Sequence, residues 1–211
     1  MSGTRREGNP VDHDTPPLIL GVGGTTRPGS TTERALAAAL RAAAAEGAET
    51  VLIAGQDLML PMYTPNADER TEPGRRLVEL YRRCAGLVVA SPAYHGSMSG
   101  LIKNALDYAE DEGQDDRTYF DGIAVGCIAC AGGWQAAVQT MTALRAVAHA
   151  LRGWPTPLGA ALNSSIPLFS PEGECVDLSS KFQLETVGRQ VVQFARMRKP
   201  GAVEAAAVMS G

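Results

Sequence analysis

Residues 23–32 carry the kinds of side chain that proteins use to bind phosphate. The segment reads GGTTRPGSTT and lies between a short apolar run and an alanine-rich helical stretch. Backbone amides at a helix N-terminus, small hydroxyl side chains and the guanidinium of Arg27 are all donors that suit phosphate oxygens. The plainer alternative is a helix-capping residue beside a surface arginine. We predict an anion-binding loop at this position.

Two familiar nucleotide-binding motifs do not match this loop. A dinucleotide fingerprint would place its third glycine at Thr26 and an acidic residue after the second apolar run, where the chain has Ala54, Gly55 and Gln56. The triphosphate-binding loop ends in Gly-Lys-Ser or Gly-Lys-Thr, and the segment lacks that ending. A single phosphate group is therefore the anion that the loop favours.

A second segment, residues 91–107, contains the most specific motif of the chain. It reads SPAYHGSMSGLIKNALD and resembles the signature of the NAD(P)H-dependent FMN reductase family of flavodoxin-like proteins, P-x-Y-x-x-S-x-x-x-L-x-K-N-x-x-D. The matching residues are Pro92, Tyr94, Ser97, Leu101, Lys103, Asn104 and Asp107. The first loop is similar to the family's phosphate motif, G-S-x-R-x-x-S-x-N. In that motif Thr25 keeps the hydroxyl of the serine, Arg27 and Ser30 match, and Thr32 replaces the asparagine.

This resemblance covers residues 18–198 and implies an enzyme that moves a hydride from NADPH or NADH to FMN. The electrons would pass on to an acceptor such as a partner monooxygenase or a quinone. The flavin would carry the chemistry, with no catalytic side chain. The residues expected to bind the cofactor are Thr25, Arg27, Ser30 and Thr32 at the phosphate, Pro92, Ala93, Tyr94, His95, Gly96 and Ser97 along the ring, and Gly132 and Gly133.

The two glycines belong to a third segment, residues 131–134, which reads AGGW at the start of a predicted helix. Glycine lets the backbone approach a planar ligand, and a helix N-terminus favours the negative charge of a reduced flavin. Trp134 could flank the ring, but a single aromatic residue at a helix start is common in protein cores. We expect Trp134 to belong to the core.

Other chemistry in these segments has weaker support. Tyr94 and His95 would be read as a packing residue and a solvated loop residue without the motif around them. Ser97 lies near His95, but the G-x-S-x-G nucleophile elbow is missing, so hydrolysis is not expected. The histidines are too scattered for a metal site. Cys127 and Cys130 are spaced like a redox pair, yet residues three apart in a strand point to opposite faces. Both are expected to be buried thiols.

Two other functions stay open alongside the reductase. One is a flavin-binding electron carrier or redox module without NAD(P)H turnover. The other is an enzyme that uses FMN as a substrate, either delivered in reduced form to a monooxygenase or altered in a biosynthetic step. The irregular segment 163–176 would suit such a task.

The elements around the three segments form an α/β pattern. Apolar runs at residues 18–22, 50–54, 86–90, 123–131 and 156–162 read as strands, the third ending at Ser91-Pro92. Helical stretches lie between them at 33–46, from 73 onwards, at 101–110 and 134–151, and a last helix holds Leu184, Val187, Val191 and Phe194 as a core stripe. This alternation predicts a flavodoxin-like, five-stranded parallel sheet with helices on both faces. Ligands of such sheets bind at the carboxyl ends of the strands, and each of the three segments follows one.

Composition excludes several classes of protein. The chain has 211 residues, a net charge of -4 and 45% hydrophobic residues, values of an ordinary globular domain rather than a fibrous or disordered one. The acidic balance argues against a nucleic-acid partner, and no apolar run reaches the ~20 residues of a membrane helix. We predict a disordered leader at residues 1–17, one domain at 18–198 and a flexible tail at 199–211. Four sparse cysteines favour a cytoplasmic protein.

Lys103 and Asp107 lie four residues apart on one predicted helix. The plain interpretation is a surface ion pair. The resemblance implies instead that helix 101–110 packs against a partner subunit, which completes the flavin site in a homodimer or homotetramer. The sequence does not separate these two interpretations.

Overall fold

The computed structural model describes residues 15–65, 67 and 69–198, which form alternating strands and helices. The strands are β1 (Leu18–Gly23), β2 (Glu49–Ile53), β3 (Gly86–Tyr94), β4 (Ser97–Met98), β5 (Ala124–Ala131), β6 (Trp154–Pro155) and β7 (Ala160–Asn163). The helices are α1 (Thr31–Ala45), α2 (Glu72–Arg83), α3 (Gly100–Asp107), α4 (Trp134–Ala150) and α5 (Leu178–Met197). Two short 3-10 helices lie at Gly55–Leu58 and Tyr108–Glu112.

The strands form one sheet in the order β2-β1-β3-β5-β6, and every pair along this path is parallel. The fifth position of the sheet is shared, because β7 also pairs with β5 in parallel. The chain moves from β1 to β2 on one side and then to β3 on the other, so the strand order reverses between β1 and β3. The predicted α/β flavodoxin-like sheet is confirmed.

Helices cover both faces of the sheet. On one face, Ile19, Val88 and Ile128 are buried in a core that includes residues of α1 and α5. On the other face, Leu20 and Leu87 are buried in a core that includes residues of α2, α3 and α4. Successive residues of a strand point to opposite faces, so a strand covered on both sides reads as a continuous apolar run.

Two predictions about buried side chains are confirmed. Cys127 lies in the core on the α2–α4 side and Cys130 in the core on the α1–α5 side, and both thiols are free. Burial raises the pKa of each thiol to about 12. On α5, Leu184, Val187 and Val191 are fully buried as the expected core stripe.

The bounds predicted for the fifth strand, residues 156–162, are wrong. The chain forms the two short strands β6 and β7 there. The Thr156 amide still donates to the Val125 carbonyl of β5 at 3.0 Å, and residues 157–159 then leave the ladder. Pro157 has no N–H to donate to a neighbouring strand. A Cβ at Gly159 would lie 2.5 Å from the Met141 sulfur, so the backbone passes close to α4 at this point. The missing N–H of Pro157 and the close packing at Gly159 together explain why the strand is interrupted.

Two further predicted boundaries are wrong. The third strand does not end at Ser91-Pro92 but continues to Tyr94 and turns back into β4. His95 and Gly96 form the turn with φ angles of 49° and 86°, as in the two-residue turns that match strand twist. The helix predicted at residues 101–110 ends at Asp107 and continues as the second 3-10 helix.

The predicted domain boundaries stay predictions. Most of the leader, residues 1–17, and all of the tail, residues 199–211, lie outside the described residues. Pro17 takes part in the fold, because its carbonyl oxygen accepts a hydrogen bond from the Glu49 amide at 3.0 Å. Within the described ranges, no helix combines the length and apolar composition that crossing a membrane requires.

Candidate functional site

Three loops meet at the carboxyl edge of the sheet. They follow β1, β3 and β5, which are neighbours in the sheet although they are distant in sequence. Gly23 pairs with Ala90, and Pro92 pairs with Cys130, so the ends of these strands lie side by side. Open α/β sheets bind ligands at this edge, next to the point where the strand order reverses.

The first loop holds its shape with its own hydroxyl groups. Thr25 Oγ1 accepts a hydrogen bond from the Arg27 amide at 3.1 Å and donates to the Arg27 carbonyl at 3.2 Å. Ser30 is buried and caps α1, accepting a hydrogen bond from the Glu33 amide at 3.3 Å. The Arg27 side chain is exposed. The loop therefore presents a guanidinium and the first amides of α1, which have no acceptor within the helix.

Thr32 is in a different environment from the other predicted phosphate ligands. Its side chain is 3% exposed and lies beside the buried thiol of Cys130. Thr32 thus lies between α1 and β5 rather than on the surface of the loop. The phosphate contact predicted for its side chain stays a prediction.

Glu33, which the motif comparison did not include, reaches back into the first loop. Its carboxylate Oε2 accepts a hydrogen bond from the Gly29 amide at 3.2 Å, while its own amide donates to Ser30 Oγ. This reciprocal arrangement is a form of the capping box, and the S-x-x-E spacing from Ser30 to Glu33 is its sequence signature. One amide of the anion-binding loop therefore already holds a carboxylate.

The second loop is the β3–β4 hairpin, which is anchored at its base and open at its tip. Ser91 Oγ donates to the Pro92 carbonyl at 2.8 Å and accepts from the Ser99 amide at 2.9 Å. Thr140 Oγ1 of α4 donates to the Ser97 carbonyl at 3.1 Å. The predicted ring-binding residues are graded in burial, from buried Pro92 through half-buried Ala93 and Gly96 to exposed Tyr94, His95 and Ser97.

Ser91 was not among the residues expected to bind the cofactor, and Thr140 was not predicted from the sequence as part of this loop. Their side chains bond to backbone atoms of the hairpin and leave its tip free for a ligand. Ser91 stands directly before the recognised motif, and this position is the only local signal for it. Thr140 is 43 residues away from its partner Ser97, so no local pattern could reveal it.

The third loop leaves open space in front of α4. A Cβ added at Gly132 or at Gly133 would meet no atom within 4 Å. Gly133 caps α4 without a side-chain hydrogen bond, so the first amides of the helix face this space. Trp134 is 56% exposed, and the expectation that it belongs to the core is wrong.

Asn104, a residue of the recognised motif, anchors another loop instead of facing the three described above. Its Oδ1 accepts a hydrogen bond from the Tyr63 amide at 2.8 Å, and its Nδ2 donates to the Pro61 carbonyl at 3.0 Å. The same loop is held by Arg70, which forms two hydrogen bonds to Asp111 and lies 4.5 Å from the centre of the Tyr63 ring. The Arg70 guanidinium lowers the pKa of the Asp111 carboxyl.

The donors at this edge fit FMN, the cofactor that the resemblance implies. Arg27 and the first amides of α1 are donors that suit its phosphate. The backbone at Gly132 and Gly133 borders open space, because a Cβ added at either residue would meet no atom within 4 Å. Tyr94 and Trp134 offer aromatic surface beside that space. Two clefts of about 350 and 280 Å³ lie elsewhere, between α1 and α5 and between α3 and α4.

Known proteins that are similar to this chain include FMN-dependent reductases. A family model described as NADPH-dependent FMN reductase matches residues 17–165. The FMN-dependent NADPH-azoreductase of Staphylococcus aureus (strain USA300) is 31% identical over 121 residues, which are 57% of this chain and 61% of that protein. The alignment thus spans less than two thirds of this curated relative.

Solved structures share the fold at low sequence identity. An NADH:FMN oxidoreductase in its apo form has a TM-score of 0.66 and 20% identity, covering 89% of this chain and 92% of that one. RosB with a bound 8-demethyl-8-formylriboflavin 5′-phosphate intermediate has a TM-score of 0.68 and 19% identity, covering 92% of this chain and 86% of that one. At these identities the likeness establishes the architecture alone.

Proposed function

The chain belongs to the NADPH-dependent FMN reductase family, and on that premise we propose that it binds FMN at the carboxyl edge of the sheet and reduces it with NADPH or NADH. The observation that carries the proposal is the meeting of the anion-binding loop, the motif-bearing hairpin and the open glycine pair at one edge. The curated relative named above uses FMN and NADPH according to its name.

The first loop binds the phosphate in this proposal. Arg27 is exposed and can form charge-assisted hydrogen bonds, which are shorter and stronger than bonds between neutral groups. Thr25 and Ser30 keep the loop in shape through their hydroxyl groups. The N-terminal end of α1 adds the partial positive charge of its amides.

The hairpin and the glycine pair hold the ring. Tyr94 and His95 stand at the exposed tip of the hairpin, and Thr140 fixes the hairpin to α4. The amides at Gly132 and Gly133 lie where they can stabilise negative charge on the polar edge of the ring. The exposed faces of Tyr94 and Trp134 leave room for a second flat ring, that of the nicotinamide.

FMN supplies the redox chemistry when it is bound, because its ring takes up a hydride from a nicotinamide cofactor. The protein contributes binding and orientation, which bring two reactants together in a reactive geometry. This division of labour needs no acid or base among the side chains of the site.

The electrons pass from FMN to an acceptor, for which we propose a flat aromatic compound. The azoreductase relative acts on azo compounds according to its name. Exposed Tyr94 and Trp134 favour a flat aromatic acceptor such as a quinone or an azo compound, since aromatic surfaces stack on one another. Transfer of reduced flavin to a partner monooxygenase is the other route that the family resemblance suggests.

We also infer that the chain works as a homodimer or homotetramer in the cytoplasm. Tyr94, Trp134 and Val138 are exposed by 54%, 56% and 56% near one edge, and exposed apolar patches mark interaction surfaces. Four free cysteines suit a reducing compartment. Sedimentation velocity tests the oligomer, and a monomer that still reduces FMN would contradict it.

An anaerobic titration tests the proposed activity. The purified chain is loaded with FMN, NADPH is added without oxygen, and the visible absorbance of the flavin is followed. Bleaching supports the reductase, whereas bound flavin that stays oxidised supports an electron carrier. Gly132→Val should abolish flavin binding without loss of stability, because the new side chain enters space that holds no protein atom within 4 Å. Ala150→Val, at the exposed far end of α4, is the matched control.

A further inference from the structure

Glu33 occupies an unusual position for an acidic residue in this protein. It is half-buried in the first turn of α1, and its carboxylate lies within the loop that the proposed function assigns to a phosphate group. The Gly29 amide donates to Glu33 Oε2 at 3.2 Å. Gly29 has a φ angle of 67°, a backbone conformation that directs this amide differently from those of the helix. The carboxylate therefore stands where an anionic ligand would otherwise find a donor.

Cationic side chains in and near the loop would attract both the Glu33 carboxylate and an incoming phosphate, so the two anions would compete. Arg27 is exposed within the loop, and Arg34 lies close to Gly29, where an added Cβ would be 3.7 Å from Arg34 Nη2. Arg34 is held in place because its Nη1 donates to the Ser170 carbonyl at 2.9 Å. The loop and its immediate surroundings thus hold two guanidinium groups and one carboxylate. An incoming phosphate would meet the same cations, and also the repulsion of Glu33.

We propose that the Glu33 carboxylate is an internal competitor for the FMN phosphate, so that FMN is held loosely and exchanges with the solution. The inference rests on the proposed function and deepens it, because it makes FMN an exchangeable substrate of this site rather than a permanently bound cofactor. The phosphate adds less to affinity than it would in a loop without an acidic residue. FMN and riboflavin are therefore bound with more similar affinity than their charges alone would suggest.

A capping role alone makes a different prediction for the same residue. Glu33 as a cap stabilises α1, and its removal would weaken the fold or leave ligand binding unchanged. Glu33→Gln separates the two roles, because the amide oxygen can still accept from the Gly29 amide while the negative charge is lost. Glu33→Ala removes both the acceptor and the charge.

The test is a set of binding titrations on the full chain, with FMN and with riboflavin, followed by quenching of flavin fluorescence. Wild type, Glu33→Gln, Glu33→Ala and the control Glu46→Gln are compared. Glu46 follows the last residue of α1, so the control makes the same change in net charge about 20 Å away along the helix. The unfolding temperature of each variant is measured in parallel, and riboflavin binding reports whether the ring site is intact.

The proposal expects Glu33→Gln to tighten FMN binding about tenfold and to slow FMN release, since phosphate keeps its charge-assisted bonds and loses a repulsive neighbour. Riboflavin affinity should stay the same in every variant, and Glu46→Gln should match wild type for both ligands. Unchanged or weaker FMN binding in a stable Glu33→Gln variant would overturn the inference and leave the reductase proposal standing. If the wild type binds neither flavin, the proposed function itself fails.

Discussion

The two edges of the sheet differ in whether their charged side chains are exposed or buried. At the carboxyl edge, Arg27 is exposed and its guanidinium is available to a ligand. At the amino edge, Glu112 is fully buried and faces Arg117 at 3.5 Å. An exposed charge costs the fold little, whereas a buried charge carries a desolvation penalty that its partner must offset.

The buried pair at the amino edge joins three elements. Arg117 donates to the carbonyl oxygens of Tyr81 and Cys84, which lie at the end of α2. Both carboxylate oxygens of Glu112 and the Arg117 Nε lack a hydrogen-bond partner among the described residues. Glu112 also lies near Arg82 and Asp115, whose charges act on it in opposite directions. The ion pair holds these elements together at the cost of removing its charges from water. It lies at the opposite edge of the sheet from the proposed flavin site.

The charged groups proposed to bind the ligand and the charged groups buried in the fold thus lie at opposite edges of the sheet. Substitutions at the carboxyl edge should change ligand affinity and leave the free energy of unfolding alone. Substitutions at the amino edge should do the reverse. Four predictions test this separation.

The largest effect is expected for Arg117→Met. At a pH above about 7, where Glu112 is charged, it should lower the free energy of unfolding by about 3 to 5 kcal/mol, because Glu112 would lose the partner of its buried charge. Urea denaturation measures the loss, with Arg83→Met as the control for an exposed arginine at the end of α2. The control should stay within about 0.5 kcal/mol of wild type. Equal stability of the two variants would show that the buried pair does not support the fold.

The second prediction concerns pH. Burial raises the pKa of Glu112 from 4.5 to about 7. The folded protein therefore keeps a proton that the unfolded chain loses, and the contribution of Glu112 to stability falls as pH rises from about 4.5 to about 7. The total change is on the order of 3 kcal/mol. Glu112→Gln should remove this part of the pH dependence in urea titrations, and an unchanged pH profile would refute the assignment.

At the other edge, Arg27→Ala should weaken FMN binding by about 2 kcal/mol, because a charge-assisted bond to phosphate is lost. Riboflavin binding should not change, since riboflavin has no phosphate. Fluorescence titration of both ligands measures the difference, and the free energy of unfolding should match wild type. Equal weakening of the two ligands would place Arg27 away from the phosphate.

The smallest effect is expected at the hairpin tip. Tyr94→Phe and His95→Asn should each weaken flavin binding at most about tenfold, or about 1.4 kcal/mol. Asparagine tolerates the positive φ of 49° at this position better than most residues. Histidine is the side chain that commonly titrates near neutral pH. If His95 only shapes the site, stopped-flow rates of flavin reduction should show the same pH profile in wild type and His95→Asn. A pH dependence that disappears in His95→Asn would make His95 a proton donor.

Much of the architecture follows from local patterns. Continuous apolar runs alternating with helices predict a parallel sheet, because only strands covered on both faces can be apolar throughout. The spacing of Cys127 and Cys130 predicts their opposite faces, since side chains alternate along a strand. The motif text from Pro92 to Asp107 locates the hairpin and α3. Each of these signals depends on neighbours in sequence.

Other features depend on which distant elements come into contact. Thr32 matches a phosphate motif by position, but the packing of α1 on β5 buries its side chain beside Cys130. Trp134, at the first position of α4, is 56% exposed although an aromatic residue at a helix start is common in protein cores. The ion pair between Glu112 and Arg117 also depends on contacts between distant elements. The same holds for the break in the fifth strand, where Gly159 passes close to Met141 of α4.

The sequence by itself determined the class of fold, the order of its elements and the two loops that identify the family, because periodicity and short motifs are local properties of the chain. Tertiary structure decided which residues of those loops face a ligand. A helix or strand can rotate or end early by one residue at little local cost, and only contacts with the rest of the protein select the position. The burial of Thr32 beside Cys130 and the orientation of Glu33 towards Gly29 are the result of that selection.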